Sequence, residues 1–389
     1  MPDKKEAAYI AKSKFKVPFG TVSLTAEARR LIDEAWASNW VTQGKYVAQF
    51  ERAFARRFDS RHAVAVSSGT DAVAVACAVL YDFGAQRGDE IIVPALTFIA
   101  SGNAVLQAGF KPVFVDVDRT TLNIDPRQIE KVITARTRAI LPVHLMGKPA
   151  PMDAVCCLAQ KHGLFVIEDA AEAHGARYHD QAVGTIGDVG AFSLYAAHIL
   201  TSIEGGMVLT QQARMAEALV SLRNHGMTGK FEAGRIGFSA KMHELEAAVG
   251  LGNMAIFSRI LEKRRQNLLY LIDCFQAFAP FFITMEEGPD ERIGPHAFPI
   301  ILKEGLPFGK DEFVGQLESS GIDTRNLFYS IPTQCPGYQF LGYQLGDFPE
   351  AEYCSAHGTH IGIHQGLERE QLDYVVDTIQ KFLKDRGCL

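Results

Sequence analysis

Cysteine is sparse and badly spaced for metal. The seven cysteines, at 77, 156, 157, 274, 335, 354 and 388, form no C-x-C or C-x-x-C pair. That leaves no disulfide framework and no metal site to expect, and points to reduced thiols in a cytoplasmic protein. The adjacent Cys156 and Cys157 read as buried helix packing. No apolar run approaches the ~20 residues of a membrane span. The opening Met1-Pro-Asp-Lys-Lys-Glu lacks the apolar segment of a secretory signal. Basic charge is also short, with 39 Lys and Arg against 45 Asp and Glu and a net charge of −6. Such a chain has no global attraction to phosphate polymers, so neither nucleic acid nor an anionic membrane is expected as partner. A local pocket for a nucleotide stays compatible. Internal repeats and low-complexity segments are absent as well.

What is present is the pattern of an α/β protein. The first twenty residues read as a polar arm. Short apolar strands are predicted at Ala63–Val66, Ile91–Pro94, Pro112–Val115, Ala139–Val143, Phe165–Asp169, Val189–Leu194 and Met207–Leu209. Helical spacings alternate with them, which argues for a mainly parallel sheet between helices. Long helices are predicted over Met242–Arg259 and Leu261–Phe278. Beyond about residue 256 the order turns to mixed strand and helix, ending in an amphipathic helix over Glu368–Lys384. We therefore expect a large domain over 1–255 and a smaller α+β domain over 256–389, with surface loops at 286–294 and 332–350.

Ligands bind parallel sheets at the carboxyl ends of their strands. Ser68-Gly69-Thr70, Phe98, Asp169, Ser193 and His198 all follow strands. Taken singly, each has an ordinary structural reading. Ser68-Gly69-Thr70 can be a turn with a helix cap, although free N–H groups at a helix start also suit phosphate. Phe98 can be core. Asp169 can be a cap, and His174 reads as structural.

The stretch Gly190-Ala-Phe-Ser-Leu-Tyr-Ala-Ala-His198-Ile-Leu-Thr-Ser-Ile-Glu204-Gly205-Gly206 resembles the cofactor loop of the DegT/DnrJ/EryC1/StrS family of pyridoxal-phosphate (PLP) sugar aminotransferases. Glu168-Asp169-Ala-Ala-Glu172-Ala-His174-Gly175-Ala176 and Gly237-Phe238-Ser239-Ala240-Lys241-Met242 resemble two further family segments. The resemblance runs from about Phe15 to Ile379. It implies a fold-type I PLP enzyme, with cofactor-binding roles at Gly69, Thr70, Phe98, Asp169, Glu172, Ser193 and Ser239. Phe98 would lie on the pyridine face, and Asp169 would pair with the ring nitrogen. Glu172 would lie near the ring hydroxyl. Ser193 would donate to the phosphate, and Ser239 would reach the phosphate of a neighbouring subunit in a homodimer. Gly321-Ile-Asp-Thr-Arg325 also matches, and Arg325 could face an anionic substrate group or pair on the surface.

One position departs. The family lysine that holds the cofactor as a Schiff base is His198 here. Imidazole is not a primary amine, so PLP or its amine form PMP would bind non-covalently. With an unperturbed pKa of about 6.5, His198 suits proton transfer near neutrality. Histidine at this point resembles the family's sugar 3-dehydratases, which remove the C3 hydroxyl of nucleotide-linked 4-keto-6-deoxyhexoses. Ile199 and Ile203 depart from that subgroup's loop. Three readings stand: dehydration of a nucleotide-linked keto sugar with His198 as acid and base; transfer of an amino group to such a sugar from a donor such as glutamate, the chain then either using His198 for the proton shift or being a Lys-to-His variant; and a catalytically silent cofactor or sugar-nucleotide binding protein.

Overall fold

Seven strands make the central sheet of the structure, a computed structural model that describes residues 15–389. Most of the expected arm, residues 1–14, lies outside the described residues. In spatial order the strands are His62–Val66, Gly206–Thr210, Val189–Ser193, Phe165–Asp169, Thr137–Ile140, Glu90–Pro94 and Lys111–Val115. Gly206–Thr210 runs antiparallel to both neighbours, and every other pairing is parallel. The expected strands are thus found, and the carboxyl ends of the six strands other than Gly206–Thr210 share one edge.

Sequence logic explains the elements around this edge. Ser68 caps helix Gly69–Ala78, its side chain accepting from the Asp71 N–H. From Ala72 to Ala78 that helix is wholly buried, which its small and apolar residues permit. Helix Lys45–Arg57 puts Phe50 and Phe54 on one buried face. Its N-cap is Gly44, with no side chain to offer. The buried Glu244 supplies the cap from afar, accepting the Tyr46 and Val47 N–H groups at 3.0 Å.

A second sheet of four antiparallel strands follows, in the order Phe282–Thr284, Ala297–Leu302, Gly358–Gly362 and Thr324–Asn326. Helices Lys310–Ser319 and Arg369–Asp385 bury Phe313, Leu317, Phe382 and Leu383. One apolar cluster contains side chains of both sheets, Val93 and Ile300 among them.

Three sequence expectations need correction. The single helix over Met242–Arg259 is two helices, Glu244–Met254 and Phe257–Phe275. Ile256, with φ −104° and ψ −2°, breaks the run, while Asn253 ties its end to the Thr201 carbonyl at 2.9 Å. Residues 332–350 carry short helices at Ile331–Gln334 and Pro336–Leu341, and Tyr338 is buried because its hydroxyl bonds Asn103; likewise 286–294 holds the short strand Glu291–Arg292. Cys157 is exposed and Cys156 half-buried, since adjacent helix positions face different directions.

Candidate active site

The turn after the first strand meets the end of the strand Val189–Ser193. A Cβ on Gly69 would lie 2.5 Å from Ser193 Cβ, so only glycine allows this approach. The first turn of helix Gly69–Ala78, with Thr70 in it, therefore lies against Ser193. Ser67 and Ser68 are not free for a ligand, because both hydroxyls donate to Asp71 Oδ2, at 2.7 and 2.8 Å. Ser239 is exposed. Its neighbour Ala240 accepts the Ser67 N–H at 3.1 Å, which sets the 239–241 segment beside the same turn.

Asp169 ends its strand buried, tied by its backbone to Pro142 and His144. Its Oδ2 accepts from Ser101 at 2.7 Å, and Oδ1 accepts the Ala171 N–H at 3.2 Å. Burial raises its pKa, while Ser101, Ala171 and His144 pull the other way. A buried carboxyl in that setting ionises best against a cation. Ser101 sits on the helix that starts after Phe98, whose ring is 57% exposed and 5.7 Å from that of Phe328.

Immediately behind Asp169 lies a carboxylate that sequence reasoning passed over. Glu168 is fully buried and accepts the N–H groups of Gly184, Ile186 and Gly187, each at 2.7 Å. His144 Nε2 completes the set at 3.1 Å, and His144 Nδ1 accepts from Ala150 N at 2.9 Å. Every polar atom here has a partner.

The opposite side is built differently. The His198 ring lies 5.1 Å from that of His296 and 5.9 Å from that of His174. Buried with no hydrogen-bond partner are both nitrogens of His174, Nδ1 of His198 and Nδ1 of His296. Each such orphan costs about 1–3 kcal/mol if it stays unpaired. Arg264, 2% exposed, donates to Gln365 Oε1 and to the carbonyls of Pro295 and His296, all neutral acceptors. Burial pushes His198 down to about 3, with the Arg264 cation adding to it. His174 and His296 are lowered for the same first reason. Glu172 closes this side. Its Oε2 accepts the Met146 N–H at 2.7 Å, its Oε1 lies 3.5 Å from His296 Nε2, and burial pushes it up to about 8.

The structure thus gathers Gly69, Thr70 and Ser193 at one corner, Phe98 and Asp169 at a second, and Glu172 and His198 at a third. Arg325 pairs instead with Asp323 and stacks over Phe19. Ser101, His144, Arg264 and His296 were not singled out from sequence. Only Ser101 left a trace, in the first turn of the helix that follows Phe98. Two surface clefts, of about 430 and 510 Å³, lie elsewhere and include neither His198 nor Asp169 in their walls.

Residues 22–380 match the model of the DegT/DnrJ/EryC1/StrS aminotransferase family. The chain belongs to that family. A GDP-perosamine synthase of Caulobacter vibrioides is 34% identical over 92% of this chain and 96% of its own. DesV of S. venezuelae, a solved structure, is 34% identical with a TM-score of 0.85, covering 94% of this chain and 99% of its own. An E. coli GDP-4-keto-6-deoxy-D-mannose-3-dehydratase with bound hydrated PLP is 27% identical with a TM-score of 0.84, covering 94% and 99%. Sugar aminotransferases and a 3-dehydratase thus share this α/β architecture, and this DegT/DnrJ/EryC1/StrS chain is a PLP-dependent enzyme of the same kind. Among the described residues, no helix is long and apolar enough to cross a membrane.

Proposed function

We propose that this enzyme removes the C3 hydroxyl of a nucleotide-linked 4-keto sugar, with PMP or PLP held without a covalent link. The observation that carries the reading is His198, a neutral imidazole packed against His174 and His296 at the point where the family pattern has lysine. The donor set fits the cofactor: a carboxyl at Asp169 lacking a cation, an exposed aromatic face at Phe98, and a glycine-tight corner of Gly69, Thr70 and Ser193 for the phosphate. When bound, the cofactor supplies an electron sink for negative charge developing on the sugar. The protein's own residues do the rest. Asp169 would hold the charge of the ring nitrogen, Phe98 would lie against the ring, and Glu172 would serve the ring hydroxyl. His198 takes a proton from carbon and returns one to the departing hydroxyl, neutral histidine being the form a base requires.

Ser239 would complete the phosphate site of a second copy, making the working unit a homodimer. Its exposure supports this. We place the domain boundary at residue 255, between helices Glu244–Met254 and Phe257–Phe275. Transamination from a donor such as glutamate is the second reading, favoured by Ile199 and Ile203, which depart from the dehydratase loop. Product mass decides between them. Purified protein is incubated with PMP, then with PLP and glutamate, against a panel of nucleotide-linked 4-keto sugars. Loss of the C3 oxygen is expected. Gain of an amine would replace the reading with transamination, and no turnover on any sugar would leave a binding protein.

A further inference from the structure

His296 stands between His198 and Glu172. Its ring centroid is 5.1 Å from that of His198, and its Nε2 is 3.5 Å from Glu172 Oε1. Ring nitrogens lie about 1.2 Å from an imidazole centroid, so facing nitrogens at this spacing sit at hydrogen-bond length. Both rings carry a buried Nδ1 with no partner. A rotation of the rings that brings these two nitrogens together would satisfy both orphans with one bond. The backbone holds the spacing: Met146 donates to Glu172 and accepts from the His296 N–H, while Gly147 packs so close to Gly294 that a Cβ would lie 1.6 Å from its carbonyl oxygen.

We propose that Glu172, His296 and His198 form a proton relay, with His296 as the positioning residue that lets the reaction proton come to rest on Glu172. The proposal rests on the reading of His198 as the acid and base. In the receptive form Glu172 is a carboxylate accepting from His296 Nε2–H, His296 Nδ1 accepts from His198 Nδ1–H, and His198 Nε2 keeps its lone pair. When Nε2 takes a proton from carbon, the Nδ1 proton passes to His296 Nδ1 and the His296 Nε2 proton passes to Glu172. The result is a carboxylic acid and two neutral imidazoles, with one proton gained in all. Run backwards, the same steps deliver a proton from His198 Nε2.

The charges around the three groups favour this over an imidazolium. His198 faces His174, His296 and the Arg264 cation, and none of these stabilises a second positive charge. His296 faces His198, Arg264, His360 and His174. Glu172 faces Asp169, His296 and the Met146 N–H. Burial pushes Glu172 up to about 8 and His198 down to about 3, so a proton arriving at His198 is held better by Glu172. The value for Glu172 is near enough to neutrality for both forms to be populated.

The first test needs neither cofactor nor substrate. Full-length cofactor-free protein is labelled with ¹⁵N-histidine, and the His198 signals are identified by their loss in His198→Asn. Across pH 6 to 9, His198 should stay neutral and pass from the Nε2–H to the Nδ1–H tautomer as pH rises through about 8, where Glu172 titrates. Glu172→Gln should freeze the tautomer, and His296→Phe should uncouple it from pH. A His198 that charges near its ordinary pKa, or a tautomer indifferent to Glu172→Gln, would overturn the relay. The second test is kinetic. His296→Gln keeps hydrogen bonding but cannot pass a proton, so with His296→Phe it should lower kcat about tenfold or more and leave KM within about twofold. Wild-type kcat in His296→Gln would mean that His296 only packs, which sinks the proposal. Because the spectra are taken without cofactor, the relay can fail while the product-mass assay succeeds, and the reverse.

Discussion

The two sides of the candidate site handle buried polarity in opposite ways. Behind Asp169, the Glu168 carboxylate receives three backbone N–H groups and one imidazole, and nothing is left unpaired. Around His198, four buried ring nitrogens lack partners and a buried guanidinium touches only neutral acceptors. A satisfied network has one preferred arrangement and resists change, so it positions. An unsatisfied one can rotate, accept or release protons, so it reacts. The difference teaches where to look for each job: Asp169 is held so that it cannot move, and His198 is left with somewhere to send a proton.

The sharpest way to break this comparison is to neutralise the positioned side. Asp169→Asn keeps the shape and the Ser101 contact but removes the charge that a ring nitrogen would face. Turnover should fall by about 10²–10³, the scale of losing one preorganised electrostatic partner, with the melting temperature unchanged or slightly raised. An undiminished kcat would make Asp169 a strand-end cap and nothing more.

The positioned side was largely legible in the sequence, and the reactive side was not. Asp169 follows an apolar strand, and Gly69 and Ser193 follow two others, so the strand-end rule and the family segments find them together. His296 and Arg264 sit some 100 and 65 residues past His198 in chain order, as the sequence numbering shows. Only the packing of the second sheet and helix Phe257–Phe275 against the first brings them back. Nothing local marks them, because an arginine with carbonyl partners reads in sequence like any helix-face arginine. The helix break at Ile256 was hidden for the same reason: apolar periodicity continues through it while the backbone does not.

Two measurements sharpen the contrast in stability. Glu168→Gln puts an amide NH₂ against groups that already donate, so the buried network loses acceptors it cannot replace. A loss of about 3 kcal/mol is expected from chemical denaturation, and a change below about 0.5 kcal/mol would mean that the 184–187 loop holds itself. The histidine side should show in acid. His174, His198, His296, His360 and His364 are all lowered by burial, so each favours the fold while neutral. Their contribution is full above the unfolded value of about 6.5 and is lost as pH falls towards the lower folded values. Glu172, raised by burial to about 8, acts in the opposite sense over the same descent, and Asp169, also raised, does so as pH falls towards its folded value. Five groups against two leave a net loss of stability between pH 7 and pH 5 for the cofactor-free protein. A melting temperature that stays level over that interval would mean the histidines carry charge in the fold.

The smallest effect concerns the loop that carries His198. Ile203 has φ +78°, a conformation that suits glycine and that a β-branched side chain adopts only under strain. Its side chain is 48% exposed, so packing recovers little of the cost. The backbone is pinned instead by the Ile203 N–H donating to Thr201 Oγ1 at 2.8 Å, by Thr201 Oγ1 donating to the Leu194 carbonyl at 2.9 Å, and by a bridge to Tyr195. Strain of this kind amounts to about 1–3 kcal/mol. Glycine would relieve it, but would lose the partial burial and add unfolded-state entropy of about 0.5–1 kcal/mol. The two nearly cancel, so Ile203→Gly should stabilise the protein by about 0.5 kcal/mol, or leave it unchanged within error. Its sharper mark should be on motion, with faster hydrogen exchange at Ser202 to Glu204 than in the wild type. If the variant instead lost more than about 1 kcal/mol, the Ile203 side chain would be a packing element, and the strain would be the by-product of a contact rather than a feature of the His198 loop.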